Sequence, residues 1–265
     1  MGTDGGLLLL HGYFSGGVAW DGVRAALSEL TPTLAPDLPG YGEARNVPAG
    51  SLEAVVDYFA PLVEREQPTH LLGHSMGGIV ALALAARYGG MFERVGLTGL
   101  PVYGSREDGL RYLHRRSLKH RLFLHHDGVS HAGCRVIHAT RRAWGPAAPF
   151  FAPRQPGAHA VAAFDHSREG HIDVLGAIVF AGLVEGLASQ VREPVVALHG
   201  GRDPSAPLDR VRELAGRHGW DLRVAPTGNH QLPIERPGLV ARWTRTNLLG
   251  DGHVERAGSD RSFTR

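Results

Sequence analysis

The chain has 265 residues, 43% of them hydrophobic, which suits one globular domain with room for an insertion and excludes a disordered chain. A net charge of +2 gives no argument for a nucleic-acid partner. Cys134 is the only cysteine, which rules out an internal disulfide and a cysteine-built metal site and fits a reducing, cytoplasmic setting.

The apolar run "LLLL" (7–10) reads as a buried strand. It is too short for a signal peptide or a membrane span, so no membrane partner is expected. Residues 17–30 predict a helix with Val23, Ala26, Leu27 and Leu30 on one face. "TLAP" (33–36) predicts a strand and 51–66 a helix with Ser51 as its N-cap. Next come a strand over 69–73, a helix over 76–88 and a strand over 94–98. After a long interruption, 194–200 predicts a strand, 207–218 a helix, 221–225 a strand and 236–248 a helix. Strands that alternate with helices define an α/β protein: an open, mostly parallel sheet of about six strands with helices on both faces.

Residues 104–190 break this alternation. They are rich in His and Arg, with helix-like stretches at 108–124, 132–143 and 171–188. They read as a helical cap inserted after the fourth predicted strand. The core is then 1–103 with 191–249, and the polar tail 250–265 is expected to be frayed. An insertion at that point lies over the carboxyl ends of the strands, where open α/β sheets bind ligands.

Within "LLGHSMGGIV" (71–80), Ser75 stands where the predicted strand becomes a helix, between Gly73 and Gly77. So sharp a turn forces the serine into strained backbone angles, and the residues two before and two after must be small. The hydroxyl then sits at a helix N-terminus, where free N–H groups favour developing negative charge. A bare G-x-S-x-G is weak evidence alone. A reactive serine also needs a base, which should come from another loop at the same sheet edge. The loop after the last strand, "PTGNHQLPIERP", carries His230. The loop before it, "LHGGRDPSAP", carries Asp203.

Five segments, "HGYFSGG" (11–17), "PDLPGYG" (36–42), "GHSMGG" (73–78), "HGGRDPSAP" (199–207) and "GNHQLPIERP" (228–237), stand in one order along the chain. In these the sequence resembles the α/β-hydrolase superfamily, in its lid-bearing esterase, thioesterase and C–C hydrolase branch. The resemblance implies the α/β-hydrolase fold, with Ser75 as nucleophile, His230 as base and Asp203 as its orienter. It implies an oxyanion hole from the backbone N–H groups of Tyr13 and Met76, and it requires no cofactor. Some relatives carry the acid one strand earlier, but "LTGLP" (97–101) has no carboxylate. The antiparallel strands that usually lead the family's sheet are not expected here, since "LLLLHG" comes almost at once.

The expected activity is hydrolysis of a carboxylic ester or thioester through an acyl-enzyme. The same triad without water would give transfer, cyclisation or elimination, and the fold without chemistry would give a ligand-binding protein. Phe14, His74, Trp144, Phe150 and Phe151 are the candidate substrate contacts, the last two for an apolar acyl chain. His11 and His74 precede glycines and are expected to pack beside the turn rather than do chemistry, and Asp37 to tie a loop. Between Arg111 and Arg142 eight basic residues stand against Asp127; they read first as a solvated helix face, and alternatively as a surface that would draw an anionic group such as a CoA- or carrier-bound acyl substrate. The histidines there lack helical pairing with a carboxylate, so no metal site is expected. The sequence carries no signal for oligomeric state.

Overall fold

The computed structural model describes residues 5–116, 156–167 and 169–250. In chain order these form β1 (Leu7–Leu10), a 3₁₀ turn (Gly17–Trp20), α1 (Asp21–Leu27), β2 (Thr33–Leu34), α2 (Leu52–Glu66), β3 (His70–His74), α3 (Met76–Arg87), β4 (Arg94–Thr98) and α4 (Arg106–Arg116). They continue with α5 (Gly157–Ala162), α6 (Val184–Ala188), β5 (Val195–Gly200), α7 (Leu208–His218), β6 (Asp221–Ala225), α8 (Leu232–Glu235) and α9 (Pro237–Trp243).

The six strands form one sheet in the order β2-β1-β3-β4-β5-β6, and every pairing is parallel. The expected sheet of about six strands is therefore parallel throughout the described residues. The central strands β1, β3, β4 and β5 are buried on both faces because both faces are covered. Leu8, Leu10, Leu71, Val95, Leu97, Val195 and Ala197 point to the side of α2 and α3. Leu7, Leu9, Leu72, Val196, Leu198 and Ala225 point to the side of α1 and α9. The chain moves from β1 to β2 on one side, then crosses to β3 on the other. The carboxyl ends of β1 and β3 thus flank the point where strand order reverses, the usual ligand position in such sheets.

Four stretches differ from expectation for local reasons. The 17–30 helix is a 3₁₀ turn followed by α1, which stops at Leu27, so Ala26 and Leu30 are exposed while Val23 and Leu27 are buried. β2 ends at Leu34 rather than residue 36. Gly17 lies against the Ala35 carbonyl, where a Cβ would come within 2.0 Å, and Pro36 has no N–H to donate. The 171–188 stretch is two π turns (Glu169–Asp173, Leu175–Val179) and α6, divided at Gly182. That glycine has φ +71° and lies 2.7 Å, measured from an added Cβ, from the Gly104 carbonyl. The 236–248 stretch is likewise α9 and a π turn, with the short α8 just before it.

Of the inserted segment, Val174, Ile178, Val179, Phe180, Val184 and Ala188 are buried in the core beside α3. Arg210 on α7 holds Asp108 on α4 through two hydrogen bonds, one of 2.8 Å. The expected helix over 132–143, the end of the one over 108–124 and the tail from 251 lie outside the described residues.

Candidate active site

β3 delivers the chain to Ser75, whose φ of 52° and ψ of −118° are far from any relaxed L-residue conformation. The Ser75 N–H donates to the Thr98 carbonyl at 2.8 Å, and α3 begins at the next residue. Both flanking glycines are required, but for different neighbours. A Cβ on Gly73 would stand 2.2 Å from the Gly77 carbonyl oxygen. A Cβ on Gly77 would stand 2.2 Å from the Leu10 carbonyl and 2.5 Å from that of His11. The second glycine therefore serves the approach of α3 to the end of β1.

That end of β1 forms the second wall. A Cβ on Gly12 would lie 3.2 Å from the Ser75 Cβ, so the loop rests directly on the serine. His11 is buried; its Nε2 accepts from the Leu38 N–H at 2.9 Å, which leaves Nδ1–H to donate to the Gly12 carbonyl at 2.8 Å. Burial lowers His11 to about 4, so it is a neutral strut. This agrees with the packing role expected for it. Asp37 ties the next loops, as expected: Oδ1 accepts from the Gly17 N–H at 2.7 Å and Oδ2 from the Glu43 N–H at 2.9 Å.

The third and fourth walls follow β5 and β6. Asp203 is buried, and its Oδ1 accepts from the N–H groups of Ser205 (2.7 Å) and Ala206 (2.9 Å). Its Oδ2 lies 2.8 Å from His230 Nδ1, and His230 Nε2 lies 3.1 Å from Ser75 Oγ. The carboxylate fixes the proton on Nδ1, so Nε2 faces the serine as an acceptor. Burial pushes the Asp203 carboxyl up, yet His230, then His199 and the Ala206 amide, outweigh it and hold the group below the ordinary carboxylate value. The loops meet because Gly200 leaves room: a Cβ there would stand 2.4 Å from the Asn229 carbonyl.

The structure thus brings Ser75, His230 and Asp203 into one hydrogen-bonded line. Met76 is the first residue of α3, where N–H groups have no intrahelical partner, and Tyr13 is in the loop resting on Ser75. Phe14 is beside it, 37% exposed. His74 is buried under the line; its Nδ1 is 3.1 Å from the Thr98 carbonyl and its ring centre 5.0 Å from that of His230. Burial first, then the neighbouring His230, lowers His74 to about 3, so it packs against the base as a neutral ring. Trp144, Phe150 and Phe151 lie outside the described residues. So do Lys119, Arg121, Arg135, Arg141 and Arg142, whereas Arg111, Arg115 and Arg116 on α4 are exposed. Gly99, at the end of β4, is a site residue that the sequence reading misses. It has φ +57°, and a Cβ there would press within 3.3 Å of His230 Nδ1. Its only signal is a glycine closing a strand. Among the described residues no group of three or more His, Cys, Asp or Glu side chains is placed to hold a metal ion. No helix there is long and apolar enough to cross a membrane.

An open parallel sheet with a serine on a strained strand-to-helix turn defines a known class, and comparison with known proteins agrees. The Alpha/beta hydrolase family matches residues 7–243, and the chain belongs to that family. Pimeloyl-[acyl-carrier protein] methyl ester esterase of Neisseria meningitidis serogroup A is 38% identical over 80 residues, 30% of this chain and 25% of that protein. The matched stretches span about a quarter to a third of the length of the first curated relatives. A thermophilic esterase from Thermogutta terrifontis superposes with a TM-score of 0.68 at 24% identity, over 94% of this chain and 91% of that one. An enol-lactonase from Burkholderia xenovorans gives a TM-score of 0.65 at 20% identity, over 94% and 92%. Both show that the fold is shared across nearly the whole chain.

Proposed function

We propose that this chain is a serine hydrolase that cleaves carboxylic esters or thioesters through an acyl-enzyme. The observation that carries the reading is the relay of 3.1 Å from Ser75 Oγ to His230 Nε2 and 2.8 Å from His230 Nδ1 to Asp203. As Ser75 Oγ attacks the carbonyl carbon, its proton passes to His230 Nε2. Asp203, already ionised, stabilises the imidazolium and keeps the ring's orientation. The oxyanion forms against the N–H groups of Tyr13 and Met76, donors typically worth about 3 kcal/mol each. The alcohol or thiol leaves with the proton from His230. Water then attacks the acyl group, gives its proton to His230, and the free acid departs as the proton returns to Ser75.

The name of the Neisseria relative, an esterase of an acyl chain on a carrier protein, supports including carrier- or CoA-bound acyl groups among the substrates. The exposed arginines of α4 offer an anionic carrier a surface of the right sign. On this reading the inserted segment 104–190 is the cap that selects the acyl half.

Labelling with a fluorophosphonate tests the proposal directly. The expected result is one adduct, on Ser75, absent in Ser75→Ala, with turnover of p-nitrophenyl esters lost in the same variant. His230→Ala and Asp203→Asn should each lower kcat by about a thousandfold or more with the fold intact. Turnover that survives Ser75→Ala would rule the proposal out.

A further inference from the structure

We infer that the inserted segment completes the oxyanion site: His171 is a positioning residue that holds Tyr13, and through it the Tyr13 N–H, against the reacting carbonyl. This rests on the reading of Tyr13 as an oxyanion donor.

The loop after β1 does not hold its own shape. Phe14 has φ 52°, a left-handed conformation that costs a bulky L-residue about 1–2 kcal/mol and persists only where surrounding structure imposes it. Gly12, on the other side of Tyr13, adds no stiffness. The loop's flanks are tied by His11 at Gly12 and by Asp37 at Gly17, and the side chains at its tip, Tyr13 and Phe14, are held from the insertion. Tyr13 Oη donates to the His171 carbonyl at 2.8 Å, and His171 Nδ1 lies 2.8 Å from the same oxygen. A phenol has one proton, so with that proton on the carbonyl its oxygen accepts from His171 Nδ1–H. The phenol is thereby held at two points by one residue, and this fixes the Cα–Cβ direction of Tyr13 and the N–H beside it. Phe14 is held by the same group of rings. Its ring centre is 4.8 Å from His171 and 5.2 Å from His166, and those two imidazoles stack 5.2 Å apart.

The segment that carries these histidines is itself fastened to the loop after β2. The Gly42 N–H donates to the Asp165 carbonyl at 2.8 Å, and the Ser167 N–H to the Gly40 carbonyl at 2.7 Å. Tyr41 Oη donates to the Gly170 carbonyl, and Arg45 meets Asp165 at 2.9 Å. Gly40 and Gly170 permit the contact, since a Cβ on Gly170 would stand 2.4 Å from the Gly40 carbonyl. Residues 165–167 and 169–171 therefore fasten the β2 loop to the β1 loop, and the strap they form ends on Tyr13. A donor aimed at an oxyanion acts on the transition state and little on the bound ester. Loosening the strap should therefore change kcat and leave KM in place.

The test uses Tyr13→Phe, which keeps the ring and removes both bonds, and His171→Phe, which keeps a ring and removes the imidazole donor. Each should lower kcat on a p-nitrophenyl ester by about tenfold, a fraction of what losing a whole oxyanion donor costs, with KM within about twofold. Each should weaken binding of a trifluoromethyl ketone, whose hemiketal oxygen occupies the oxyanion position, by the same factor. His171→Asn, which offers an amide N–H near the Nδ1 position, should restore activity to within about threefold of the parent. Because the two residues act as one unit, Tyr13→Phe/His171→Phe should be no worse than either single variant. Single variants with parental kcat and inhibitor binding, or effects that multiply in the double, overturn the inference while the hydrolase reading stands. A parent chain that neither turns over esters nor binds the ketone overturns both.

Discussion

Ser75 is held in its strained geometry by close backbone approaches that no side chain could share. Gly77→Ala would place a methyl group 2.2 Å from the Leu10 carbonyl oxygen, and backbone on both sides leaves it nowhere to go. The expected cost is about 2–3 kcal/mol, read as a fall in Tm of roughly 5–10 °C. Gly50→Ala is the matching control, because a Cβ there meets nothing within 4 Å. Its Tm should stay level or rise slightly as the unfolded chain loses freedom. A Gly77→Ala protein that melts with the parent would show that α3 is not pressed against β1. At this scale the sequence tells most about residues whose side chains carry chemistry. Ser75, Asp203 and His230 are legible because a hydroxyl, a carboxylate and an imidazole stand just past the ends of three predicted strands. Gly99 is not legible, since what it contributes is the absence of a side chain beside His230. Nor is the Tyr13–His171 pair, whose members are 158 positions apart with no pattern linking them.

The loops at the carboxyl edge of the sheet are tied to one another as well as to their strands. Asp37, just after β2, accepts from the backbone of the β1 loop at Gly17 and from its own loop at Glu43. Asp37→Ala leaves both donors without that acceptor, and Gly17 is the buried one. A loss of about 1–3 kcal/mol in urea unfolding is expected, with Asp37→Asn, which keeps one carbonyl oxygen, in between. If Asp37→Ala unfolds at the parent's urea midpoint, the two loops are held by other means. The elements themselves follow closely from apolar patterning. Runs such as "LLLL" and "VVALHG" are apolar on both faces, and only a strand covered on both sides requires that. Apart from the early end of β2, the misjudged pieces are those where one helical period gives way to another. The 3₁₀ turn at Gly17–Trp20 and the π turns at 169–173, 175–179 and 244–248 keep the composition of an α-helix while shifting its phase. Periodicity alone therefore merges each with its neighbour.

At the scale of the whole molecule, several imidazoles are folded into places where burial disfavours their charged form. Burial lowers His11 to about 4 and His74 to about 3, and holds His199 below its ordinary value. In the unfolded chain each would protonate near pH 6.5. Below that pH the unfolded state binds more protons than the folded one, so stability falls as pH falls. Between pH 7 and pH 5 His11 and His74 should each remove about 2 kcal/mol, and His199 adds a loss of the same sign. Asp203, held low by its partners, adds its own loss only once the pH drops through the carboxylate range. Urea unfolding at pH 7 and pH 5 measures the sum, and equal free energies at the two values would show that these rings titrate as if exposed. The parallel sheet has a further consequence, in time rather than in energy. Ser75 and His230 touch across 155 positions, and His230 follows the edge strand β6. A ribosome adding about 5–20 residues per second needs roughly 8–30 s to travel from the serine to the histidine. Throughout that interval the nascent chain carries a serine with no base beside it, so on the proposed chemistry it cannot attack the cell's esters before its last strand is made.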